Sequence, residues 1–369
     1  MEKSKVYFTN MRTKIGESLL VKMDKLIMKA GIEEIDFSKK FVAIKIHFGE
    51  PGNLSFLRPN FAKTLADRIK KLGGMPFLTD SNTLYPGRRN NALVHLDAAA
   101  ENGYSVITTG CQNIIADGLR GTDEMEVPVN GGEVCKTALI GRAIMDADIF
   151  ISLTHFKGHE GAGFGGALKN IGMGSGSRAG KMIMHNEGKP KIKKEKCIGC
   201  KICGRFCAHD AISFDGGKAA IDYDKCAGCG FCIGSCSKHV IYNTWDSSSA
   251  SMSRKMAEYS KAVLDGRPNF HISVVNQVSP FCDCHGENDA AVVPDIGIFA
   301  GFDPVALDKA CIDAVNAEAG MKSSILADIN GREGADHFTA IHPETDWRVQ
   351  LSHAEKIGLG KTDYELVTI

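Results

Sequence analysis

The chain has no excess charge of either sign: 44 Lys and Arg balance 44 Asp and Glu. That balance removes the global electrostatic argument for a nucleic-acid or membrane-surface partner. There is no apolar run approaching a membrane span in length. The first ten residues, Met1 to Asn10, lack the apolar core of a secretory signal. A cytoplasmic protein with no membrane or nucleic-acid partner is therefore expected. No Walker motif or Rossmann fingerprint stands in its required strand–turn–helix context. Disulfides fit poorly with a cytoplasmic chain, so its cysteines need another use.

Cysteine is what the chain does have. Eight of its 13 cysteines fall in two matching runs. Cys197, Cys200, Cys203 and Cys207 form one, and Cys226, Cys229, Cys232 and Cys236 the other. Both read C-x2-C-x2-C-x3-C, the spacing of bacterial ferredoxins with two [4Fe–4S] clusters. Three closely spaced thiolates can reach three irons of one cubane, and the fourth ligand must come from elsewhere. In the two-cluster arrangement the fourth Cys of each run serves the other cluster. Cys197, Cys200, Cys203 and Cys236 are then expected on one cluster, and Cys226, Cys229, Cys232 and Cys207 on the second. Zinc sites use separated cysteine pairs, so they fit this spacing poorly.

The two runs belong to an internal repeat with an offset of 29 residues, in which Ile212 corresponds to Ile241. Residues 211–214 and 240–243 read as short strands covering the clusters. Roughly residues 190–245 resemble the bacterial dicluster ferredoxins. Ala208 and Ser237 stand where that family usually has Pro after the fourth Cys. No ligand is lost by that departure. Exposed clusters of this type are destroyed by oxygen, so an anaerobic host is expected.

On either side, apolar strand-like runs alternate with amphipathic helical ones. Strands are expected at Lys5–Thr9, Phe41–Phe48, Pro76–Thr79, Ser105–Thr108, Ala147–Thr154, Phe270–Asn276 and Asp295–Ala300. Helices are expected at Gly16–Ala30, Phe61–Leu72, Ala92–Asn102, Ser251–Leu264 and Val305–Ala317. Between Cys111 and Thr137 the pattern breaks into loops or an antiparallel ribbon. The alternation predicts an α/β fold with a mostly parallel sheet and helices on both faces. The simplest organisation is one α/β domain, residues 1–188 and 246–369, interrupted by a ferredoxin-like α+β insert at 189–245. Lys189–Lys196 and Thr244–Ser251 read as its entry and exit linkers.

Several segments carry a wider resemblance: 44–50, 154–159, 165–170, 282–285 and 302–308. Through them nearly the whole chain is similar to iron–sulfur proteins of bacteria and archaea in which a dicluster ferredoxin interrupts a domain of unknown function. The resemblance implies the insertion and the clusters. It supplies no reaction.

The densest polar constellation follows the strand at 147–154. His155, Lys157, His159 and Glu160 come first, then a glycine-rich stretch with Gly165, Gly166, Lys169, Arg178 and His185. Ligands of open α/β sheets bind at the carboxyl ends of strands. Glycine-rich loops that open helices offer backbone N–H groups to anions. A site for a small anion is expected, with Gly165, Gly166 and Arg178 among its binding residues. Lys45 and His47 alternate along the strand at 41–48 and share a face. With both faces of the sheet covered they are expected to be buried or at its mouth, among the binding residues, with Asp80 a partner for Lys45. Asp80 and Asp303 also fit helix caps after strands.

Here a second, local resemblance lies: the order of His159, Gly165-Gly166, Lys169 and His185 is similar to the nickel-pincer lactate racemases. It implies Lys169 as the attachment point of a metal-bearing cofactor, His185 as a metal ligand and His159 as a proton-transfer group. His95 is the candidate counterpart for a further family histidine. Separately, Cys282-Asp283-Cys284-His285 offers soft metal ligands, completed from elsewhere by His155 or His159, or a pair of redox-active thiols.

The expected function is an iron–sulfur oxidoreductase. Its clusters pass electrons from a redox partner protein or a small-molecule donor to a small anionic substrate. His155, His159, Lys169 and His185 are its candidate catalytic residues, and an additional metal or anionic ligand is expected nearby. Two alternatives stand beside it: a non-enzymatic electron carrier or cluster scaffold, and a racemase- or isomerase-like enzyme with a lysine-bound metal cofactor.

Overall fold

A computed structural model describes residues 3–85, 87–185, 189–207, 209–226, 228, 230–242, 248–329 and 336–369. Its centre is an eight-stranded sheet. In chain order the strands are β1 (Ser4–Asn10), β2 (Phe41–Lys45), β3 (Met75–Asp80), β4 (Gln112–Ile115), β5 (Ile149–His155), β6 (Asn269–Val275), β7 (Gly297–Gly301) and β8 (Tyr364–Thr368). Their spatial order is β8-β1-β7-β6-β5-β2-β3-β4. Every neighbouring pair is parallel except the two made by β7, which is antiparallel to both β1 and β6. The sheet is thus mixed but mostly parallel, and it draws strands from both sides of the cysteine-rich segment.

Helices cover both faces. On one lie α1 (Leu19–Lys29) and α2 (Pro59–Lys71), burying Leu26, Ile27, Leu65 and Ile69 against Ile44, Ile151 and Ile272. On the other lie α3 (Ala167–Ser175), α4 (Ser249–Leu264) and α5 (Pro304–Ala317), whose Ile171, Met256 and Ile312 share a core with Phe150 and Phe299. Alternate residues of β5 serve the two cores, and all seven are buried, which is why this strand reads as an almost unbroken apolar run. Local chemistry sets the helix starts. Ser18 Oγ accepts from Val21 N at α1, Pro59 opens α2, and Asp303 Oδ1 accepts from Val305 N and Ala306 N at α5.

The strand expected at Ser105–Thr108 is instead a helical turn, Val106–Thr109. A capping box decides it: Thr108 N donates to Ser105 Oγ at 3.3 Å and Ser105 N to Thr108 Oγ1 at 2.9 Å. The true strand follows, as β4. The expected ribbon is present at Glu124–Pro128, antiparallel to Thr137–Gly141. The strand expected over 41–48 ends at Lys45, before His47.

In the cysteine-rich segment the repeat of the sequence is carried into the backbone. Lys191–Ile192 pairs with Ile241–Tyr242, and Ile212–Ser213 with Ala220–Ile221. Each half contributes one strand to each ribbon, so the halves interlock. Gly199 and Gly228 both have positive φ, as do Lys201 and Gly230, two residues further on in each half. A Cβ on Gly199 would lie 2.0 Å from Gly217 O, so that turn accepts only glycine. The expected entry linker is partly strand, at Lys191–Ile192. Residues 244–247 of the expected exit lie outside the described residues, and from Ser249 the chain is already helical. Among the described residues no helix is long and apolar enough to cross a membrane.

Candidate functional site

From β2 the chain runs outward through β3 to β4, and from β5 it runs the opposite way to β6. The order reverses between β2 and β5. In open α/β sheets the crevice at such a switch point is where ligands bind. A cavity of about 790 Å³ opens there, at the carboxyl ends of these strands.

Its floor is an ion pair. Lys45 Nζ, at the end of β2, lies 2.8 Å from Asp80 Oδ1, at the end of β3, and both side chains are almost wholly buried. Lys45 also donates to Asn170 Oδ1 at 2.9 Å. Burial pulls the Lys45 ammonium below its ordinary pKa, against the opposing charge of Asp80. Burial likewise resists ionisation of Asp80, but the Lys45 ammonium, with smaller contributions from other basic groups nearby, outweighs it and holds the carboxyl well below the usual range. The expected Lys45–Asp80 pair is therefore present, and Asp80 does not cap a helix. His47 lines the cavity too, with Nδ1 accepting from Gly49 N at 3.0 Å and Nε2 2.8 Å from Arg89 Nη1. Burial and the guanidinium push its pKa well down.

Beyond β5 the polar residues divide. His155 is buried, but it does not line the cavity. Its Nδ1 lies 2.9 Å from Asp283 and its Nε2 2.8 Å from Asn276 O, so both ring nitrogens are occupied by its own chain. The expectation of a catalytic or metal-binding His155 is corrected on that ground: it positions the loop that carries Asp283. Lys157 lines the cavity and donates to Asp283 Oδ2 at 3.0 Å and to His155 O at 2.8 Å.

His159, Lys169 and His185 do share the cavity. His159 Nδ1 accepts from Gly161 N at 3.0 Å and Ala162 N at 3.1 Å. That assigns the ring proton of neutral His159 to Nε2, which lies 3.9 Å from Glu160. Burial and Lys169 push the His159 pKa well below its ordinary value, so the ring is a neutral donor rather than a base. His185 is likewise lowered to about 3, chiefly by burial and then by Lys169 and Lys181. Lys169 Nζ donates to Cys282 Sγ at 3.3 Å. Burial opposes the Lys169 charge, but Cys282, Cys284 and Glu160 outweigh it and raise the pKa.

The glycine-rich stretch is not an open anion cradle. The N-terminal amides of α3 are taken by the chain's own carboxylate: Ala167 N lies 2.6 Å from Asp308 Oδ1 and Leu168 N 2.9 Å from Oδ2. A Cβ on Gly166 would come within 2.2 Å of that carboxylate. Gly166 is thus needed for the approach of Asp308, while a Cβ on Gly165 would meet the Lys157 and Lys169 stems at ordinary contact distance. Arg178 is also removed from the binding set. It is fully buried away from the cavity, where it donates to Asn90 O, Leu84 O and Gly230 O. His95 is buried beside Asp80, 3.7 Å from Nε2 to Oδ2, and does not line the cavity.

Two cationic residues of the cavity were missed in the sequence. Arg89 is buried and lies 2.7 Å from Glu50 Oε2, and it reaches Tyr85 and Cys284 O as well. Only its place in the loop after β3 pointed to it. Lys181 lines the cavity with its pKa lowered to about 8 by burial, against Asp117 and Asp80. Its signal was the i, i+4 spacing to His185, which puts both on one helix face.

The Cys282–His285 loop forms one wall. Cys282 is buried, Cys284 half-buried and His285 exposed, with His285 Nε2 2.9 Å from Glu160 Oε1. Cys282 hydrogen-bonds Cys284, which lowers the Cys284 thiol and raises that of Cys282.

The cysteine runs lie behind this cavity. Cys197, Cys200, Cys203 and Cys236 line one small cavity, and Cys207, Cys226 and Cys232 line another. Cys229 lies outside the described residues. Leu84 joins the two regions. It lines the large cavity and packs in the core of Cys203, Cys236 and Ile233. A Cβ on Gly230 would sit 2.4 Å from its Cδ1.

Among solved structures, the lactate racemase apoprotein from Thermoanaerobacterium thermosaccharolyticum is similar at 12% identity and a TM-score of 0.36, over 74% of this chain and 51% of that one. A Thermotoga maritima protein is similar at 13% identity and a TM-score of 0.40, over 81% and 58%. The chain spans about half to three-fifths of the length of these structures. No curated protein matches. The family model described as a domain of unknown function, DUF362, matches residues 42–313, which is most of the chain and includes both the cavity and the cysteine runs. The protein is a member of the DUF362 family.

Proposed function

We propose that the protein is an iron–sulfur oxidoreductase in which residues 189–245 form an inserted dicluster ferredoxin-like module serving the cavity of the α/β domain. Cys197, Cys200, Cys203 and Cys236 would hold one [4Fe–4S] cluster, and Cys226, Cys229, Cys232 and Cys207 the other. The observation that carries the reading is the grouping of the thiols. The fourth Cys of the second run lines a cavity with the first three of the first run, and Cys207 lines another with Cys226 and Cys232. This is the crossed set that two-cluster ferredoxins use. Backbone N–H groups approach sulfur at Cys197, from Ala219 at 3.4 Å, and at Cys207, from Ala211 at 3.3 Å. The bound clusters would supply single electrons.

The chain's own residues account for the rest. Lys157 and Arg89 are offset by Asp283 and Glu50, which leaves Lys169, held on the Cys282 thiol, as the cavity cation suited to a small anion. His159 Nε2–H is a neutral donor for a substrate oxygen. Lys181, lowered to about 8, holds a proton that it can release near neutrality. Leu84, packed closely on Gly230, is the apolar contact between the two regions.

Anaerobic purification, iron and sulfide analysis and EPR test this reading. About eight irons per chain are expected; fewer than about four would overturn it. The racemase-like alternative is kept by one observation, that His159, Lys169 and His185 line the same cavity. It requires a covalent mass increase on Lys169, which intact-mass measurement detects. The carrier alternative requires no substrate-sized ligand in the cavity at all.

A further inference from the structure

Three ligand-type side chains meet at the mouth of the cavity. Glu160, Cys284 and His285 each offer one donor atom, and the three atoms lie within 4.8 Å of one another. They come from two loops that the fold pins separately. Glu160 sits in the turn of the hairpin formed by Lys157–His159 and Gly163–Gly165. Cys284 and His285 sit in a loop held at successive backbone groups. Glu50 N donates to Asp283 O at 2.9 Å, Arg89 Nη2 to Cys284 O at 3.3 Å, and Asn53 Nδ2 to His285 O at 3.0 Å. His285 N closes a turn onto Cys282 O at 3.1 Å, and the Asp283 side chain is anchored by His155 and Lys157. Backbone anchoring of this kind orients donors before any ligand arrives.

We propose that Glu160, Cys284 and His285 form a mononuclear site for a divalent transition metal, with its open coordination position turned to the cavity they line. The donor set selects the metal class. A sulfur donor disfavours magnesium and calcium, while sulfur, imidazole and carboxylate together suit zinc or ferrous iron. Three protein ligands leave a fourth tetrahedral position free, the pattern of reactive rather than structural sites. Cys282 is outside the set, because its sulfur faces Lys169 Nζ at 3.3 Å. That ammonium and Arg89, which reaches Cys284 O, line the same cavity. The ligand class is therefore a small anion whose carboxylate or carbonyl oxygen binds the metal while its remaining charge meets the cations. The metal's part in a reaction rests on the proposed function; its binding does not.

The test uses the full chain, purified anaerobically with its clusters in place, and cobalt(II) as the probe. One cobalt per chain is expected, with a thiolate-to-cobalt absorption band. That band should be lost in Cys284→Ser. Glu160→Gln, a near-isosteric change at an exposed side chain, should weaken cobalt binding and alter the spectrum. The proposal is overturned if the wild-type chain takes up no cobalt, or if uptake and band are unchanged in both variants. The difference between wild type and Cys284→Ser reports this site alone. Cluster iron, counted in the same samples, separates the two ideas: low iron with an intact difference band sinks the proposed function and leaves the metal site standing.

Discussion

Lys45 and Asp80 close the ends of two adjacent parallel strands with an ion pair, 2.8 Å from Nζ to Oδ1, buried beneath the cavity. Neither charge has water to fall back on. Removing one partner strands the other.

Asp80→Asn should therefore destabilise the fold by about 3–5 kcal/mol, the usual cost of an uncompensated buried charge. Combining Lys45→Met with Asp80→Asn should recover much of that loss. Chemical denaturation of the two single variants and the double variant measures both effects. Additive losses would contradict the pairing.

The same residue sets an acid limit. The folded-state pKa of Asp80 lies below its ordinary value of 3.8, so the folded state binds the proton less tightly than the unfolded chain. Its stabilisation is full above the unfolded value and is lost as pH falls through the folded one. Denaturation at about pH 5 and about pH 3 should show a drop in wild type that is smaller in Asp80→Asn.

Lys181 should titrate near 8, against an ordinary 10.5, because burial disfavours its charge. Competitive amine acylation followed by peptide mass analysis across pH gives its midpoint. A midpoint matching the exposed lysines would refute the lowered value. The slope has the same sign as that of Asp80, because both folded-state values lie below the unfolded ones. The folded state resists protonating Lys181, so stability rises with pH through this interval.

The crossed thiol sets make a spectroscopic prediction. Cys236→Ser should perturb the same EPR signal as Cys200→Ser, although 36 residues separate them in the chain. Cys207→Ser should instead match Cys226→Ser. If each variant disturbed the cluster of its own run, the crossed assignment would fail.

Arg178 ties the cysteine-rich segment to the cavity loop through Gly230 O, Leu84 O and Asn90 O. Arg178→Met leaves these buried carbonyls without their donor, at about 1–3 kcal/mol for each one left unsatisfied. Proteolysis near residues 189–242 should accelerate while iron content holds. Unchanged proteolysis would show that other contacts carry the junction.

Legibility differed from residue to residue. β5 was visible because a strand buried on both faces must be apolar throughout, and α1 because one of its faces must be. Val106–Thr109 was misread because its composition suits a strand, while the Ser105–Thr108 capping box acts through side chains that no periodicity records. Lys45 and Asp80 could be paired in advance, since adjacent parallel strands end side by side. Arg89 could not, for a buried arginine in a loop has no pattern of its own. Arg178 and His155 read as site residues because polar groups near glycines look alike in sequence. Their partners, Gly230 O and Asn276 O, come from distant parts of the chain.

The sequence by itself determined the periodic and the repeated. Alternating apolar runs dictate a two-faced α/β sheet, and cysteine spacing with its 29-residue offset dictates a duplicated segment. Those properties depend on neighbours along the chain. Only the tertiary structure decided which polar groups face the cavity and which are consumed in holding it. Asp308 takes the amides of α3, His155 is fixed by Asp283 and Asn276, and Glu160 meets Cys284 and His285 across more than 120 residues of chain. A buried polar group must find a partner wherever the fold supplies one, and sequence separation carries no trace of that choice.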